Sequence, residues 1–100
     1  MVKHVVLFKM KPFASATERS SKLTEIKVAL EDLIHKIEVL RSIEVGINLN
    51  PAEEYDLALY TTFDKMEDVA VYAAHPDHVA VSKTFIAPIK EARACVDYQL

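Results

Sequence analysis

The chain has 100 residues, of which 51% are hydrophobic, and 12 basic side chains face 15 acidic ones for a net charge of −3. That is enough for one domain, too apolar for intrinsic disorder, and able to bury roughly two-thirds of its unfolded surface. A single cysteine, Cys95, excludes an internal disulfide, and a single glycine, Gly46, excludes a glycine-rich phosphate loop. The basic residues are scattered, with no stripe interleaved by aromatics, which argues against nucleic acid as a partner. No apolar run approaches the ~20 residues that span a bilayer. The opening "MVKHVVLFKMK" carries charges throughout and lacks the continuous apolar core of a signal peptide. The expected location is cytoplasmic, with no membrane partner, and Cys95 is expected to be a small core hydrophobe.

Residues 2–11, rich in Val, Leu and Phe, read as a strand. "PFASATE" breaks it, and Ser15 with Glu18 forms a capping box that starts a helix. Leu23, Ile26, Leu30, Leu33, Ile37 and Leu40 recur at steps of three and four, so the spacing predicts one helix to about residue 41, ~40 Å long. His35 sits beside this stripe and is expected in solvent. Ile43, Val45, Ile47 and Leu49 then alternate with Ser42, Glu44, Gly46 and Asn48, the period of a strand. "NPAEE" is a turn whose Glu53 and Glu54 face water. "YDLALYTTF", residues 55–63, reads as a third strand. Asp64 with Glu67 predicts a second capping box and a helix over about 65–75. Pro76 interrupts it, a further helix covers about 77–91, and "RACVDYQ", residues 93–99, closes the chain as a strand.

The order is βαββαβ. Right-handed crossovers put both helices on one face of a four-stranded antiparallel sheet, which is the ferredoxin-like α+β arrangement. A monomer of this kind should be polar on the helix-free face. Here His4, Val6, Phe8 and Met10 point one way from the first strand, yet Val5 and Leu7 point the other. Leu57, Leu59 and Phe63 likewise oppose Ala58 and Tyr60. An apolar patch of that kind calls for a partner. The expectation is a homodimer joined through the helix-free sheet face with twofold symmetry, a dimeric α/β barrel.

"VYAAHPDHV", residues 71–79, carries the densest polar chemistry. Proline has no N–H, and its ring clashes with the carbonyl four residues back, here that of Tyr72. On a straight helix Tyr72 and His78 would lie about 240° apart round the axis. A break at Pro76 can turn both toward one cavity. Two readings stand side by side. In the first, His78 is a general base and Tyr72 donates a hydrogen bond to a substrate carbonyl, with His4 on the cavity floor. In the second, His75 satisfies carbonyls at the end of the broken helix, Asp77 favours the start of the next, and Tyr72 is a core aromatic with its hydroxyl at the surface. A metal at His75-x-x-His78 is disfavoured, because no accompanying ligands have zinc spacing.

"VKHVVLFKMK", "VGINLNP", "YDLALYTTFDKMEDVAVYAAHPDHV" and the closing "CVDYQ" together resemble the stress-responsive dimeric α/β-barrel (Dabb) family over nearly the whole chain. The most specific pieces are Lys3-His4 and Tyr72-x-x-His75-Pro76-x-His78. The resemblance implies a homodimer of ferredoxin-like subunits. The family includes plant stress proteins of unsettled role, and a plant polyketide cyclase whose base and tyrosine match His78 and Tyr72. Its strand histidine matches His4, and two apolar cavity positions match Val6 and Phe8. This chain departs from that enzyme in "VAVSKTFIAPIKEA", which lacks its tryptophan and adds Pro88, so polyketide specificity does not carry over. The expected site has His78 and Tyr72 as catalytic candidates and His4, Val6, Phe8 and His75 as substrate-binding ones, with no metal and no cofactor. The expected function is a stress or ligand-binding protein with a small apolar cavity per subunit, taking a small apolar carbonyl-containing ligand. The alternative is a cofactor-independent cyclase or lyase.

Overall fold

The computed structural model describes residues 1–100. Strand β1 (Val2–Met10) lies between β3 (Leu57–Phe63) and β4 (Lys90–Gln99), and β2 (Ser42–Ile47) forms the far edge beside β3. Every neighbouring pair is antiparallel. The order β2-β3-β1-β4 with helices after β1 and β3 is the ferredoxin-like topology expected from the element order. No helix is long and apolar enough to cross a membrane.

The two-residue period of β1 divides its side chains cleanly. Val2, His4, Val6, Phe8 and Met10 are buried, and the residues between them are half-buried. The buried set packs under α1 (Ala16–Glu31) and α2 (Glu67–Ala74), whose Leu23, Ile26, Leu30, Val69 and Tyr72 belong to the same core. Fully burying one such aliphatic side chain contributes about 1.5–3 kcal/mol. This one contiguous cluster is therefore the main stabilising feature.

Helix α1 starts as expected. Ser15 is its N-cap, and its hydroxyl accepts the Glu18 N–H at 3.0 Å. It ends earlier than its apolar stripe. After Glu31 the chain tightens into a 3-10 turn (Asp32–His35) that buries Leu33, and Ile37 and Leu40 are buried beyond it. The reason is reach: a helix of ~40 Å would overrun β1, whose nine residues extend ~30 Å. Curling lets the last apolar residues return to the sheet. The helix end is also anchored, since Glu31 accepts the Val45 N–H at 3.0 Å and pairs with Lys27 at 2.9 Å, while Lys27 donates to the Val45 carbonyl. These contacts occupy backbone groups on the edge strand β2 that would otherwise stay open.

Two other expectations are corrected here. Asp64 does not cap α2, because its carboxylate takes the Arg41 guanidinium at 2.8 and 3.2 Å and the N-cap position falls at Met66 with no side-chain cap. The helix after Pro76 does not reach residue 91. Helix α3 (Pro76–Val81) widens into a π-helical turn over Ser82–Ile86, and β4 is already under way at Lys90. Pro88 has no N–H to extend the helical ladder past that turn.

The helix-free face is apolar at its centre. The register sets Val5 between Tyr60 and Val96, and Leu7 between Ala58 and Ala94. Tyr60, Val96 and Tyr98 are 37%, 55% and 45% exposed.

Candidate functional site

The site lies where α2 meets α3 above the middle of β1. His75 has extended backbone (φ −62°, ψ 134°), as expected of a residue before proline, and it separates the two helices. The change of direction brings the Tyr72 and His78 rings to 4.5 Å between centroids. Tyr72 also packs on Phe63 at 5.3 Å and stands edge-on to His4 at 6.4 Å. Beneath them is a cavity of about 90 Å³. His4, Val6 and Phe8 from β1 line it together with Tyr72 and His78, so five of the six expected site residues share one space.

His75 is the exception. It does not line the cavity. Its Nδ1 accepts the Asp77 N–H at 3.1 Å and so caps α3, while its backbone N–H donates to the Tyr72 carbonyl at 3.2 Å and closes α2 as expected. Asp77 occupies the first turn of α3, where its charge suits the helix dipole.

Tyr72 is 1% exposed, and its hydroxyl is buried without a hydrogen-bond partner. The structural reading that left this hydroxyl at the surface is therefore overturned. Burial pushes its pKa up to about 12, so it remains a neutral O–H donor. The Nδ1 of His78 meets the Ala73 carbonyl at 3.0 Å. A carbonyl only accepts, so Nδ1 carries the proton and Nε2 is the lone-pair nitrogen of the neutral ring. Burial lowers the His78 pKa against the raising effect of that hydrogen bond, and the charge of Arg93 lowers it further. His78 is thus held neutral at pH 7, with its ring against that of Tyr72. The pair can receive a proton and polarise an oxygen without a cofactor.

His4 is buried on the sheet and hydrogen-bonds through Nδ1 to Asp97, its cross-strand partner on β4. That leaves Nε2 as its free nitrogen. Cys95 lies two residues before Asp97 on the same face, with Sγ 3.5 Å from His4 Nδ1. It is exposed, not the core residue its type suggested, because β4 is an edge strand beyond the helical cover. The donor atoms of His4, Cys95 and Asp97 all lie within 4.8 Å of one another, the closest approach to a metal-ligand set, but His4 and Asp97 already satisfy each other. His75 and His78 have separate backbone partners.

The sequence reading missed several cavity residues. Leu30, Leu59 and Ile86 supply apolar wall, and Ser82, Lys90 and Arg93 supply polar groups. Arg93 was legible only through register, since it stands opposite Phe8 across the β1–β4 ladder. Lys90 enters because the register slips between Lys9 and Met10.

Comparison with known proteins identifies the domain. The family model for the stress responsive A/B barrel domain matches residues 2–100. A stress-response A/B barrel domain-containing protein from Arabidopsis thaliana is 33% identical over 100 residues, covering 98% of this chain. The chain spans only 36% of the length of that curated relative. A dimeric protein of ferredoxin-like fold and unknown function from Bacteroides fragilis is 48% identical, with a TM-score of 0.91 over 99% of this chain and 95% of its own. A dimeric ferredoxin-like protein of unknown function from Thermobifida fusca is 27% identical, with a TM-score of 0.81 over 99% and 90% of the two chains. With its matching element order, sheet topology and near-complete coverage, the chain belongs to the stress-responsive A/B barrel domain family.

Proposed function

We propose that this chain is a homodimeric ligand-binding domain whose cavity takes a small carbonyl compound, with Tyr72 donating to the carbonyl oxygen. The observation that carries this reading is the Tyr72 hydroxyl, buried without a partner on the wall of an enclosed space. A buried unsatisfied donor costs about 1–3 kcal/mol, and a ligand acceptor would remove that cost. Val6, Phe8, Leu30 and Leu59 suit the apolar part of such a ligand. At about 90 Å³ the space admits a chain of a few carbons, far below the ~300–1,000 Å³ of typical drug-sized sites.

The dimer reading rests on the apolar centre of the helix-free face and on the two dimeric relatives from Bacteroides fragilis and Thermobifida fusca. A second copy laid sheet to sheet would cover Val5, Leu7, Tyr60 and Val96 at once. The exposed, unpaired Cys95 fits a reducing, cytoplasmic setting.

NMR titration with butan-2-one tests the binding reading. Amide shifts should concentrate on residues 72–86 and the middle of β1 and should vanish in Tyr72→Phe. Scattered shifts, or equal shifts in the variant, would sink it.

A second reading is favoured by one observation, the lone-pair Nε2 that the Ala73 hydrogen bond leaves on His78 beside Tyr72. In it His78 removes a proton alpha to the bound carbonyl while Tyr72 holds the enolate oxygen, and return of a proton from solvent closes the cycle. Deuterium uptake by butan-2-one in heavy water should then be faster with the wild type than with His78→Gln. Equal rates would leave binding alone.

A further inference from the structure

The two ends of the cavity differ in charge, and this difference has chemical consequences. The inner end carries Tyr72, a neutral donor, and His78, held neutral. The other lining residues include Lys90 and Arg93, both exposed and both on β4. Neither takes part in any of the protein's ion pairs. The acidic residues on their own strand are committed elsewhere: Glu91 pairs with Lys9 at 3.3 Å, and Asp97 is held by His4. Ser82, at the start of the π-helical turn, adds a hydroxyl to the same wall. Two cations without counter-charges on the wall of a half-apolar cavity form an anion site, while Tyr72 and His78 suit an uncharged acceptor.

We infer that the ligand is a short oxo-carboxylate, its carbonyl oxygen on the Tyr72 hydroxyl and its carboxylate on Arg93 and Lys90. This rests on the carbonyl-binding reading above and adds the class of the ligand's other end. The guanidinium of Arg93 presents a planar fork that matches a carboxylate in two-pronged fashion, and Lys90 adds a point charge. The small volume limits the chain between the two groups to a few carbons.

Calorimetric titration at low salt with 4-oxopentanoate, its neutral methyl ester, pentanoate and inorganic phosphate tests the inference, using the wild type, Arg93→Gln and Tyr72→Phe. Each variant is first checked for an unchanged circular dichroism spectrum. The acid should bind the wild type about tenfold more tightly than the ester, the worth of one charge-assisted contact. Arg93→Gln should remove most of that advantage, Lys90 retaining the rest, and should weaken the acid far more than the ester. Tyr72→Phe should weaken acid and ester alike, bringing the acid to the level of pentanoate. Added salt should weaken the acid and spare the ester. Equal binding of acid and ester, unmoved by Arg93→Gln, would overturn the inference and leave the carbonyl reading intact. Phosphate or pentanoate binding as tightly as the oxo acid would also overturn it, by reducing the feature to a general anion patch. If neither the acid nor the ester binds, both readings fail together.

Discussion

The rings of Tyr72 and His78 lie 4.5 Å apart and tilted by 52°, although six residues and a proline separate them in the chain. A continuous helix would put them on different faces. His75 leaves helical geometry, Pro76 begins a new helix, and the two side chains converge over His4. The break is therefore the element that assembles the site.

The orphaned hydroxyl of Tyr72 makes an unusual stability prediction. Tyr72→Phe keeps the ring packed on Phe63 and removes a buried donor that has no acceptor. The expected change is a gain of about 1 kcal/mol, or roughly 4–8 °C in melting temperature for a domain of this size. Thermal unfolding of the ligand-free protein checks it. A loss of several degrees would mean that the hydroxyl is bonded in solution.

The His78 pKa is lowered first by burial, so the folded protein binds its proton less well than the unfolded chain does. The unfolded value is 6.5. Stability linked to this residue is complete above that pH and falls as pH drops through 6.5 toward the folded pKa, below which the loss levels off. The difference between urea unfolding curves of the wild type and His78→Gln isolates this component from His4, His75 and the carboxylates. The wild type should lose more stability than the variant between pH 7 and pH 5.

Asp97 accepts from a histidine that is almost fully buried. Asp97→Ala leaves that N–H without a partner and should destabilise by about 1–2 kcal/mol, toward the low end because the aspartate is partly in water. Asp97→Asn keeps an acceptor and should lose less. Equal losses in urea titrations would show that the charge matters and the hydrogen bond does not.

Val96 stands on β4 beside Val5, which Tyr60 flanks on its other side, so the three form one apolar row across the helix-free face. Val96→Glu puts a charge where the proposed interface would exclude water. Light scattering should show the wild type at twice the mass of the variant. A wild type already at the monomer mass would remove the dimer.

Much of the fold was legible in the sequence, and the exceptions are specific. The apolar stripe from Leu23 to Leu40 is a buried face, as its spacing indicates, yet its helix stops at Glu31, because the sheet it packs on is shorter than the stripe. Asp64 has the sequence of a cap, but Arg41, 23 residues earlier, claims it. Cys95 has the composition of a core residue and stands on an uncovered edge.

For the site, local patterns in the chain were enough to establish the alternation that buries His4, Val6 and Phe8 together, the helix break at Pro76, and the presence of Tyr72 and His78 on either side of it. These are short-range facts, governed by periods of two and 3.6 residues and by the stereochemistry of proline. It took the folded arrangement to bring Lys90 and Arg93 to the cavity, to tie His4 to Asp97, and to leave the Tyr72 hydroxyl without a partner. Each of these depends on strand register or helix placement between residues far apart in the chain, and register is set by the packing of the whole sheet, which no local pattern encodes.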